Sequence, residues 1–153
     1  MTNTSPGDFM TATDLAAHAP LGAVIRFSDF TPAPPLRFKR KHAEWARNNS
    51  IGRLISIHKG TSPSDTTITL HMGDYGSHGI IVISTRKTFM GTSALRFAIT
   101  ERPLPGSVAI IKEYGAEREL LHLASSHEAA ISWLASNPHS NATLAPCPLP
   151  SAA

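Results

Sequence analysis

A single cysteine stands in the chain, Cys147, close to the C-terminus. One thiol forms no internal disulfide, so the fold does not rest on oxidation. Long apolar runs are also missing. Gly79-Ile80-Ile81-Val82-Ile83 is typical of the strongest stretches, and a membrane helix needs ~20 apolar residues. No base precedes a hydrophobic stretch in the polar segment 1–7, which argues against a secretory leader. A cytoplasmic protein without membrane contact is the expectation. Charged residues make up only 16% and aromatics 7%. Hydrophobic residues, at 41%, are too many for a disordered chain and too few for a membrane protein. A length of 153 residues leaves room for one core, not two. There is no glycine-rich phosphate motif and no internal repeat, so no cofactor is expected.

What the chain does have is period-two alternation. Ile68, Leu70 and Met72 alternate with Thr67, Thr69 and His71, the cleanest signature of a half-buried strand. Ala23, Ile25 and Phe27 behave alike, as do Ile55 and Ile57, Leu95, Phe97 and Ile99, Val108 and Ile110, and Leu121 and Leu123. Residues 80–85 begin apolar on both faces, which predicts a central strand followed by a loop at Arg86-Lys87-Thr88. The reading is α+β: a single domain, mostly antiparallel sheet of about seven short strands with two helices. One helix is predicted over about 36–48, with Phe38, His42, Trp45 and Ala46 turned inward. The other is predicted over about 126–136, where Ser125 and Glu128 have capping-box spacing. Residues 1–20 read as a mobile tail with a short helix over Leu15 to His18. Residues 21–137 read as the folded body and 138–153 as a proline-rich tail.

Charge is unevenly distributed along the chain. The first 25 residues hold two acids, Asp8 and Asp14, and no base. Residues 26–59 hold eight bases (Arg26, Arg37, Lys39, Arg40, Lys41, Arg47, Arg53, Lys59) against Asp29 and Glu44. The formal total is only +3, so a strongly basic face is masked by acidic ends. On the predicted first helix, Arg37, Arg40, Glu44 and Arg47 share the outer face, with Lys39 and Lys41 on its flanks. Arg37, Lys39, Arg40, Lys41 and Arg47 are therefore the candidate contacts to phosphates. An Arg40–Glu44 pair and an ordinary solvated face are the competing reading. Arg86, Lys87, Arg96 and Arg102 are further bases that would enlarge the positive surface.

The segment 71–79 gathers His71, Asp74, Tyr75, Ser77 and His78 among three glycines. His71, Asp74 and His78 are candidate metal ligands, or His78 a base beside Asp74. A hairpin loop with solvated polar side chains is the alternative. Ser77 lacks the elbow motif of a serine nucleophile, and Cys147 sits among prolines where a preorganised base is not expected.

Gly73-Asp74-Tyr75-Gly76, Gly79-Ile80-Ile81-Val82, Leu95-Arg96-Phe97, Glu101-Arg102-Pro103 and Glu119-Leu120-Leu121-His122-Leu123 resemble uncharacterised accessory proteins of bacterial plasmids and other mobile elements. The resemblance spans about 70–123. It implies a bacterial cytoplasmic protein and carries no catalytic residue with it. Three functions compete. A non-enzymatic module would bind DNA, RNA or another polyanion through the basic helix. A protein–protein adaptor or inhibitor would use a sheet edge or the acidic C-terminal portion. A small metal-dependent hydrolase or nuclease would use His71, Asp74 and His78. The first is favoured.

Overall fold

The computed structural model describes residues 8–75, 81–138 and 141–146. Among them the alternating segments form one antiparallel sheet of eight strands. These are β1 (Val24–Ser28), β2 (Ser50–His58), β3 (Thr67–Tyr75), β4 (Ile81–Met90), β5 (Arg96–Glu101), β6 (Val108–Tyr114), β7 (Glu117–Ala124) and β8 (Ala142–Pro146). Three α-helices accompany it: α1 (Ala12–His18), α2 (Lys39–Arg47) and α3 (His127–Ser136). The α+β class with a dominant antiparallel sheet is as expected, while the described residues hold eight strands against about seven and three α-helices against two.

The sheet runs β4-β3-β2-β7-β6-β8, and β1 and β5 branch from it. Strand β2 makes the branch. Its first half pairs with β1 and its last residues, Ser56 to His58, pair with β7, while β3 occupies the opposite edge. The main core lies on one face. Ile25, Phe27, Leu54, Ile68, Leu70 and Phe97 are each fully buried there. Phe27, Phe89 and Phe97, from three strands, meet with ring centroids 5.0 to 6.5 Å apart.

The folded body is wider than 21–137. Helix α1 belongs to the core: Thr11 accepts from the Asp14 amide as its N-cap, and Ala12, Leu15 and Ala16 are buried. Alanines let the helix approach the sheet closely, so one leucine suffices to anchor it. At the other end β8 pairs with β6, adding an outer strand within the expected tail. Pro146 is tolerated because the edge beyond β8 needs no further donor in this sheet. The doubly covered strand is β6. Ala109 and Ile111 join the main core, and Val108 and Ile110 pack with Ala130 of α3 on the other face. The strand expected to be central over 80–85 instead ends the order among the described residues, where β4 starts at Ile81 and continues through Arg86, Lys87 and Thr88. The expected loop there is replaced by pairing to His71, Leu70 and Thr69.

Helix starts also shift. Ser126, not Ser125, caps α3 by accepting from Ala129 N at 3.1 Å. Helix α2 begins at Lys39 rather than near 36, because Phe38 N donates to Pro35 O in a preceding turn. Gly115 adopts φ +61° at the first position of the two-residue turn joining β6 and β7, where a primed hairpin turn requires a positive φ.

Candidate functional site

Helix α2 carries four of the five candidate cations, and Arg37 precedes it. No residue of the helix is buried. Arg37, Lys39, Arg40, Lys41 and Arg47 are all exposed. Among the described residues the ion pairs are Arg86–Glu119 and Arg118–Glu113, so none of the five is neutralised by a carboxylate. The Arg40–Glu44 pair of the competing reading is not among the ion pairs of the described residues. Phe38 does not anchor the helix as predicted. It precedes the first turn, is 44% exposed, and lies beneath the Arg37 guanidinium at 4.9 Å and the Lys41 ammonium at 5.5 Å. This is an accessible aromatic surface flanked by two cations.

A polar node holds the helix in place of apolar burial. Trp45 Nε1 donates to Thr31 O at 2.9 Å. The Asn49 amide donates to Trp45 O and to Asp29 Oδ1, both at 2.9 Å. Its oxygen accepts from Ser28 Oγ at 2.7 Å and from Asp29 N at 3.2 Å. From the sheet, Lys87 Nζ donates to Arg47 O at the C-terminal end of α2, where a cation suits the helix dipole. The same ammonium lies over the Phe27 and Phe89 rings at 5.2 and 5.4 Å. Burial, and secondarily the Arg47 charge, pushes the Lys87 pKa down. Lys87 therefore joins the aromatic core to the basic helix. The sequence did not point to this role, because 86–88 read as a loop.

The Thr31 hydroxyl, the Thr31 amide and the Asn49 amide hold the Asp29 carboxyl below its usual range. The folded node thus prefers the ionised form. Its contribution is complete above the ordinary value of about 4 and is lost as pH falls through the lower folded value. In a Trp133→Phe background, Trp45 fluorescence is expected to titrate below pH ~4. Asp29→Asn should remove that transition. The same transition in both proteins would refute the role given to Asp29.

Other candidate groups lie only partly within the described residues. His71 and Asp74 lie on β3, paired with Arg86 and Ile83, and His78 and Ser77 fall outside the described residues. Cys147 also lies outside them. Among the described residues no group of three or more His, Cys, Asp or Glu is placed to hold a metal. Instead, Arg53, His71 and Arg86 occupy adjacent register positions on β2, β3 and β4, on one face of the sheet. Arg53 donates to Gly22 O at 2.6 Å, and Arg86 pairs with Glu119 at 3.5 Å. Arg96 turns back on the Ala94 and Leu95 carbonyls. Arg53, Arg86 and Arg96 are thus held by groups outside α2. No helix among the described residues is long and apolar enough to cross a membrane.

A family model described as uncharacterised conserved protein UCP036055 matches residues 10–148. It agrees with the uncharacterised standing that the sequence resemblance implied, and nothing in it connects the chain to plasmids or mobile elements. No curated protein and no solved structure matches the chain.

Proposed function

We propose that the chain, which belongs to this family of uncharacterised conserved proteins, is a non-enzymatic module that binds nucleic acid through α2 and the residues just before it. One observation carries the reading. Five exposed cations sit on and beside a helix that has no fully buried residue, and among the described residues none of them pairs with a carboxylate. The partly covered side of the helix carries His42, Trp45 and Ala46, and its exposed side presents charges suited to phosphates. Phe38, 44% exposed with the Arg37 and Lys41 cations over its ring, adds an aromatic surface suited to stacking with a base.

The test is anisotropy of a labelled single-stranded oligonucleotide and of its duplex at several salt concentrations. Five phosphate contacts on a single strand imply a log–log slope of about −3.5, or a loss of about a hundredfold between roughly 50 and 200 mM salt. Binding that is absent at low salt, or indifferent to salt, would refute the proposal. A second reading has its own support. Phe30, Leu36 and Phe38 are 56%, 75% and 44% exposed around the basic helix, a mix that also suits an acidic protein partner. Association that survives nuclease treatment would favour this adaptor. The metal-dependent hydrolase draws no support from the described residues.

A further inference from the structure

A second cationic feature lies away from α2. The C-terminal end of α1 borders a cleft of about 310 Å³, the volume of a small-molecule site. Lys59, Arg102 and Arg118 bring three positive charges into its lining from three separate parts of the sheet. Its remaining wall is largely apolar, with Ala17, Ala19 and Pro103 among its residues. The only carboxylate bonded to a lining cation among the described residues is Glu113, which accepts from Arg118 Nε at 3.0 Å. Lys59 and Arg102 have no ion-pair partner there.

The lining is fixed by the backbone. Lys59 N donates to Ala116 O at 3.1 Å. Pro103 packs so near Gly22 that a Cβ there would lie 3.3 Å from its ring, on a backbone with φ +97°. A smaller hollow of about 190 Å³ shares Pro20 and Arg118 with the cleft. It is lined by Leu21, Ala109, Ile111 and Ala145, so charge at one end passes into apolar surface at the other.

We infer that this pair of hollows binds a small amphiphilic anion: an oxyanion head, carboxylate or phosphate, held by Lys59, Arg102 and Arg118, with a short saturated tail in the apolar hollow. Both head groups match guanidinium forks. The tail adds affinity by leaving water, about two- to fourfold per CH₂. This site is independent of the nucleic-acid reading, and its failure would leave that reading intact.

The test is a titration of the full chain followed by amide chemical shifts, with hexanoate and hexyl phosphate as probes and inorganic phosphate and hexanol as controls. Saturable shifts at Ala17, His18, Lys59, Arg102 and Arg118 are expected with at least one amphiphile, and weaker binding with either control. The tighter of the two amphiphiles identifies the head group. Lys59→Glu with Arg102→Glu should weaken binding at least about tenfold. Ala17→Phe, at an exposed helix position, should block the cleft without changing its charge. Arg40→Glu with Arg47→Glu should leave binding unchanged. The inference is overturned if neither amphiphile saturates, if both cleft variants bind as the parent does, or if the shifts map to α2.

Discussion

Arg40→Glu with Arg47→Glu is expected to leave the fold intact and to remove most nucleic-acid affinity. Both side chains are exposed, and neither meets a carboxylate among the described residues. They are seven residues apart, two helical turns, and so share the outward face. Losing two of five contacts lowers the single-strand salt slope from about −3.5 to about −2. Two new negative charges then repel the same phosphates, so the loss at low salt should be at least about a hundredfold. The structural cost is small. A base in the last helical turn contributes roughly 0.3–1 kcal/mol through the dipole. Removing the Arg47 charge also relieves one of the causes that lower the Lys87 pKa. Matching circular dichroism and Tm with unchanged affinity would remove the basic helix from the proposal.

Phe27→Ala should have the largest effect on stability. The ring is fully buried, 5.0 Å from Phe89 and 6.5 Å from Phe97. Truncating such a phenylalanine costs about 3–5 kcal/mol, through lost transfer energy and the cavity left behind. In a domain of this size that lowers Tm by roughly 10 °C, measured calorimetrically. The variant also takes away one of the two rings beneath Lys87. Since Lys87 bonds the end of α2, nucleic-acid binding should weaken along with stability. Phe38→Ala makes the same chemical change at an exposed site. It should barely move Tm, within about 0.5 kcal/mol, yet reduce single-strand affinity if the ring stacks on bases. A Phe27→Ala protein as stable as the parent would mean that the three-ring cluster does not organise this core.

Much of the sheet was legible because its signal is local. Ile68, Leu70 and Met72 alternate with polar neighbours, and a strand with one covered face demands that pattern. Helix α3 was legible for a similar reason, its capping serine lying one residue from the predicted position. The segregation of bases into 26–59 was also plain in the chain, since it needs only counting. A short helix ending at His18 was read from the chain, but its start at Ala12 and its place in the core were not, and strand β8 was not legible. Each is short, and each exists because something distant covers it: the main core accepts Leu15, and β6 offers its free edge to Ala142–Pro146. Short elements of this kind depend on tertiary burial more than on their own propensity.

The candidate site divides the same way. That Arg37, Lys39, Arg40, Lys41 and Arg47 would face solvent follows from helical period and from the high cost of burying unpaired charge. That Phe38 joins them outside, rather than anchoring the helix, follows from its place before the first turn, where the 3.6-residue period no longer applies. Lys87 is the clearest case of a role decided only by the fold. In the chain it is one base among several. In the sheet, pairing to Leu70 turns it toward the core face, above Phe27 and Phe89 and within reach of the α2 terminus. Alternation within a strand is encoded by neighbours. Which face a strand presents, and what stands opposite it, is set by contacts between residues far apart in the chain, and composition and period carry no record of those.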